Sequence, residues 1–240
     1  VETGVDVELR EIRGACGERG SRDSRTRSAG AHTLPGVGKS AGRGCGAARR
    51  LAFTDSAQRV RVNDALKQVF IGCGAGFSGD RFDACQPVVE HLATCKGARY
   101  LIFEVLAERT LALAQKLRKQ NPEKGYSPYL DQYLAPILGK ISQDHIRIVT
   151  NMGAANPVAA ARRTHQLVRE QHLPSLRIAV VHGDDLLSIL SDAEIFGLPT
   201  IEGNSVRGRT LLAANVYLGA QPIAEALDTG ADVVLVGRTV

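Results

Sequence analysis

The sequence predicts an α/β fold, a Rossmann-like open parallel sheet with helices on both faces; part of a β/α barrel is the alternative. Three observations carry this. Five short apolar runs recur at residues 69–74, 100–105, 146–151, 178–183 and 233–238, and stretches with helical spacing separate them. The runs are near-continuous in Val, Ile and Leu, as strands must be when helices cover both faces of a parallel sheet. Each run also closes on Gly, Asn, Asp, Glu or Arg, and open α/β sheets hold their ligands at the carboxyl ends of strands.

Taken in order, the first strand (68–71) leads into Gly72-Cys-Gly-Ala-Gly-Phe-Ser-Gly-Asp80, and a helix over 82–94 follows, with Gly97 just beyond it. Strand two covers 100–103 and its helix 107–119. Asn121-Pro122 and Gly125-Tyr-Ser-Pro128 then break the chain, as Pro and Gly dictate. A helix over 129–141 precedes strand three (146–150). Asn156-Pro157 opens a helix through 170, with Pro in the first turn, where its missing N–H does no harm. Strand four (177–181) is followed by Gly183-Asp184-Asp185, acids suited to a helix start. Residues 196–209 are Gly-rich and irregular, a loop over the site. Helical text resumes near 210, breaks at Gly219, restarts at Pro222 and ends near Gly230. The last strand (232–236) stops four residues short of the end, so the domain is expected to be incomplete on its C-terminal side.

The chain divides into a leader over 1–64 and an α/β domain over 65–240. Residues 1–66 hold 12 Lys/Arg against 8 Asp/Glu, while the other 174 hold 18 against 17, so most of the basic excess is in front. This Gly/Arg/Ser/Ala text has no apolar period and cannot offset chain entropy by burial, which predicts disorder. Acids at Glu2, Asp6, Glu8, Glu11 and Glu18 argue against a nucleic-acid-binding arm or a transit peptide. A reading frame extended past its true start would look the same, since the one Met is Met152. Gly38-Lys39-Ser40 is no P-loop, because Thr33 stands where the first glycine is required and no strand precedes it. The five cysteines (Cys16, Cys45, Cys73, Cys85, Cys95) form no C-x-x-C pair, which fits a reducing cytoplasm. No apolar run approaches the roughly 18–20 residues of a membrane span. Neither nucleic acid nor membrane is expected as a partner.

Gly74-Ala-Gly-Phe-Ser-Gly79 matches G-x-G-x-x-G, and Glu104 ends the second strand, where dinucleotide-binding folds keep their ribose acid. Gly74, Gly76 and Gly79, with Ser78, would let backbone N–H groups approach a phosphate. The same glycines would equally make a tight turn, and Glu104 lies 25 residues past Gly79, far for a ribose clamp. Asp80, Glu104, Glu108, Asp184 and Asp185 could gather at one sheet edge to bind Mg²⁺ or serve as acid and base, with one of Asp184 and Asp185 expected to cap its helix instead. His182 stands at a strand end, placed either for proton transfer near neutral pH or as a hydrogen-bonded structural residue. Cys73 in the glycine turn reads either as an activated thiol or as a small buried side chain. Arg81, Arg109 and Arg238 could hold a carboxylate or phosphate, against ordinary ion pairing. Asn151, Asn156 and Asn215 complete the ligand-binding candidates, and Glu104, Asp184 and His182 are the acid/base candidates. The cofactor is left open between a divalent metal and a nucleotide or CoA moiety.

Six ordered strings, at residues 72–81, 103–114, 150–157, 183–185, 214–220 and 230–238, resemble the acyclic terpene utilisation (AtuA) family. The resemblance covers about residues 67–238. It implies a place in the breakdown of citronellol- and geraniol-type terpenoids through carboxylate or acyl-CoA intermediates, with the reaction unassigned. Members of the family are longer, and the text before Lys67 resembles nothing in it. Two roles are therefore expected: an enzyme using acid/base or metal-assisted catalysis on such a metabolite, or a non-catalytic subunit that binds a ligand for a catabolic enzyme. Self-association is expected as the other form of partnership.

Overall fold

The computed structural model describes residues 10–13, 68–201, 203 and 210–239. Six strands form one all-parallel open sheet: β1 (Arg10–Arg13), β2 (Val69–Ala75), β3 (Ala98–Phe103), β4 (Arg147–Thr150), β5 (Ile178–His182) and β6 (Val233–Val236). Their spatial order is β1-β5-β6-β4-β3-β2. The five strands expected from the sequence are all present, each within a few residues of its expected bounds. Of the leader, only Arg10–Arg13 is described, and it lies alongside β5, with Arg10 opposite Ala179 and Arg13 opposite His182. The rest of the disorder expected over 1–64 lies outside the described residues.

The helices are α1 (Cys85–Thr94), α2 (Glu108–Gln120), α3 (Leu130–Leu134), α4 (Leu138–Asp144), α5 (Pro157–Glu170), α6 (Asp192–Phe196) and α7 (Gln221–Asp228). The single helix expected over 129–141 is two, α3 and α4. They part at Ala135-Pro136, where proline removes a helix donor. The helical text expected from 210 to Gly219 is not helical where it is described. Residues 210–220 run as an irregular strap whose Asn215 bridges Asp185 and whose Leu218 bridges Thr239. Tertiary pairing overrides local propensity there.

One sheet face carries α1, α3, α4 and α5. Val89, Leu92, Tyr133, Leu138, Ala160 and Val168 pack there on Leu101, Ile148, Val180 and Leu235. The other face carries α7, with Ala226 against Ala179, Val181, Val234 and Val236. Chain steps from β2 to β3 to β4 to β5 run one way across the sheet, and the step from β5 back to β6 reverses. The change of face at that reversal is what right-handed crossovers require. β6 is consequently buried at all four residues, whereas β2 alternates because its second face is bare: Val69 and Ile71 are 55% and 65% exposed. Among the described residues no helix is long and apolar enough to cross a membrane.

Candidate functional site at the carboxyl edge

β2, β3, β4, β6 and β5 deliver their carboxyl ends side by side, and the candidate residues fall there. In the glycine turn, Gly74 backs onto the Phe103 ring, where a Cβ would collide. Gly79 needs its positive φ of 82° and lies against Tyr129. The backbone N–H groups that could cradle a phosphate are partly used. Gly76 N–H donates to Asp80 Oδ2 at 3.2 Å and Arg81 N–H to Asp80 Oδ1 at 2.8 Å. Asp80 thus braces its own turn with the chemistry an anion would use. Arg81 turns outward to pair with exposed Asp83 at 2.7 Å. Arg109 is exposed on the first turn of α2. Cys73 is exposed, with its thiol donating to Ala75 O at 3.5 Å.

Glu104 and Asn151 form the centre of the edge. Asn151 is buried, its Oδ1 accepting from Val105 N–H at 2.8 Å and its Nδ2 donating to Glu104 Oε1 at 3.0 Å. Glu104 Oε1 also accepts from Leu106 N–H at 3.3 Å, while the residue itself is exposed. Thr150 Oγ1 ties the two strand ends by donating to Phe103 O at 3.2 Å. A side chain fixed by a buried amide yet open to solvent is suited to exchanging a proton or holding a polar ligand.

At the β5–β6 end, Asp184 is 3% exposed. Its Oδ2 accepts from Asn215 Nδ2 and from the Arg238 N–H, both at 2.9 Å. Burial pushes its pKa up, opposed by those two donors. A Cβ on Gly237 would lie 2.6 Å from Asp184 Oδ1, so glycine is needed for the acid to sit there. Asp185, not Asp184, makes the expected cap: its Oδ1 accepts from Leu187 N–H at 3.2 Å. His182, half-buried, shares a cleft of about 430 Å³ with Asp184, Asp185, Ser188 and Arg118. Asn156 borders that cleft, but its amide is employed structurally. It accepts from Ala159 N–H and donates to Pro122 O and Lys124 O, stapling the 122–125 turn to α5.

The strap and α2 close the edge. Tyr217 O–H donates to Glu108, and Arg238 pairs with Glu108 at 3.3 Å while stacking over the Tyr217 ring at 4.2 Å. The Tyr217 bond, more than the Arg238 charge, holds the Glu108 carboxyl below the usual carboxylate range. Arg238 Nη1 donates to Leu106 O, linking β6 to the Glu104 segment. The expected carboxylates are therefore taken up separately, and among the described residues no three His, Cys, Asp or Glu side chains gather as a metal site.

Two features escaped the sequence. Arg118 donates to Asp185 Oδ2 at 3.1 Å and Ala155 O at 2.8 Å, a partnership across 67 residues that no local pattern announces. Beside Asn151 and Ser78, an apolar cleft of about 480 Å³ lies between α2 (Thr110, Leu113, Leu117) and the turn bearing Tyr126 and Tyr129. Helical spacing of Leu113 and Leu117 was its only signal.

Residues 69–240 match the family described as acyclic terpene utilisation family protein AtuA. No curated protein and no solved structure matches the chain.

Proposed function

The chain belongs to the AtuA acyclic terpene utilisation family, and from that premise we propose that it serves acyclic terpenoid breakdown in the cytoplasm by acting on a carboxylate or acyl-CoA intermediate. The observation that carries this reading is the apolar cleft lined by Ser78 and by Asn151, whose amide in turn holds the Glu104 carboxylate. Binding sites of this type are apolar with a few placed polar groups. The ligand's hydrocarbon part lies between α2 and Tyr126/Tyr129, and its polar end meets Ser78 and Asn151. Glu104 is the acid/base group, since it is exposed and is oriented by Asn151, which itself lines the cleft. His182 and Asp184 line the neighbouring cleft. Asp184 is engaged by Asn215 and Arg238, and that observation favours a second reading in which the chain binds a ligand for a catabolic enzyme without turning it over.

Thermal-shift titration of the full chain with a branched ten-carbon carboxylate and its CoA thioester tests the proposal. A rise in melting temperature with either ligand, diminished by Asn151→Ala, is expected. No shift with both would overturn it. Turnover of the bound ligand, abolished by Glu104→Gln, separates the enzyme from the binding partner.

A further inference from the structure

α2 is unlike the other long helices. α1, α5 and α7 lie on the sheet, but α2 makes no extensive contact with any strand or helix. Its apolar anchor is a small separate cluster, Leu111 and Ala114 against Leu106, Ala154 and Ala155. Its inner side rests on backbone at Gly125, where a Cβ would come within 2.6 Å of Arg118 Cβ. Polar ties complete the attachment: Glu108 to Tyr217 and Arg238, Arg118 to Asp185 and Ala155 O, and Lys119 Nζ to Leu211 O at 3.4 Å. These ties all lie on the side of α2 turned to the strap and the β5 end. The side turned to the apolar cleft carries Leu113 and Leu117, which are 52% and 43% exposed.

The first turn is fixed locally, with Ala107 N–H donating to Thr110 Oγ1 at 2.8 Å, so the ends of α2 are tied within the helix and not to the sheet. Ala107 precedes α2 in extended conformation with no capping side chain of its own, and Asn121-Pro122 follows it. Elements held by few apolar contacts and by surface ion pairs occupy the low-stability end of a structure, from which lids are drawn.

We propose that α2 is the movable wall of the apolar cleft, and that Leu113 and Leu117 select ligands by closing on their apolar body. This rests on the cleft being the ligand site. Removal of two half-exposed leucines from water supplies a preference for the closed position that only an apolar occupant gives. A polar ligand gains nothing from the closure.

Hydrogen–deuterium exchange of the full chain, with and without saturating 1-anilinonaphthalene-8-sulfonate as an apolar anionic probe, tests it. The peptide covering 108–120 should exchange about tenfold more slowly with the probe, together with the opposite wall at 126–130. Leu113→Ser/Leu117→Ser, which touches no core contact, should abolish the slowing on α2 and weaken probe binding about tenfold. Slowing at 126–130 with α2 unchanged would overturn the movable wall while leaving the cleft as a ligand site. Undiminished slowing of α2 in the double variant would overturn the role of the leucines. Slowing on neither wall would remove the cleft itself, and the proposed function's central observation with it.

Discussion

At the β2 end of the carboxyl edge, Asp80 accepts from two backbone N–H groups in an open turn. At the β5–β6 end, Asp184 accepts from one backbone N–H and one amide, with both donors at 2.9 Å. The chemistry is nearly the same, and the surroundings are not. Water competes for every bond Asp80 makes, so the turn depends on it weakly. Asp184 has no such substitute, and the strap, the Gly237 turn and the backbone of Arg238 are arranged around it. A hydrogen bond's contribution is set by what replaces it when it breaks.

The contrast breaks most sharply at Gly237. A Cβ there lies 2.6 and 2.7 Å from the two Asp184 oxygens, so Gly237→Ala must expel the buried acid from its donors. Urea denaturation should show a loss of about 3 kcal/mol, in the range of broken buried polar networks.

Asp184→Asn sharpens the comparison through pH. Because burial raises the Asp184 pKa in the folded state, the protonated form is the one the fold favours. Its stabilisation is complete below the ordinary carboxylate value and is lost as pH rises through the raised one. The wild type should therefore lose stability on that rise, and Asp184→Asn should flatten this limb in denaturation curves recorded across pH. An unchanged limb would assign the pH dependence to other groups.

Asp80→Ala is the matching test at the other end. It frees the Gly76 and Arg81 N–H groups to water and should cost about 1 kcal/mol by urea denaturation. A loss as large as that of Gly237→Ala would end the distinction between the two flanks. Smallest in stability is Glu104→Gln, which retains an oxygen for Asn151 and Leu106 and should change unfolding free energy by less than about 0.5 kcal/mol.

The same contrast explains what was legible in the sequence. The strands were, because burial on two faces writes itself as unbroken Val/Ile runs, and β6 is the purest case. The glycine turn was visible too, but its letters describe backbone freedom and not what occupies the N–H groups. That Asp80 fills part of the cradle depends on a side-chain rotamer. Which of Asp184 and Asp185 would turn inward was equally hidden, since either fits a helix start. The strap was misread as helix because Ala214-Asn-Val-Tyr-Leu-Gly-Ala220 has ordinary helical composition, while its partners, Asp184, Glu108 and Arg238, lie elsewhere in the chain. Residues whose roles depend on distant partners, Arg118 and Tyr217 above all, leave no local trace.

The position of β6 has a consequence for how the molecule is made. Of the six described strands it is the last in chain order, yet it sits between β4 and β5 and pairs with both. Until residues 233–236 emerge, the β2–β3–β4 ribbon and β5 have no shared backbone ladder, and each presents an apolar strand edge to solvent. Nascent chains halted before residue 233 should thus be held by chaperones or lost to aggregation, and release should coincide with the closing of that one central gap.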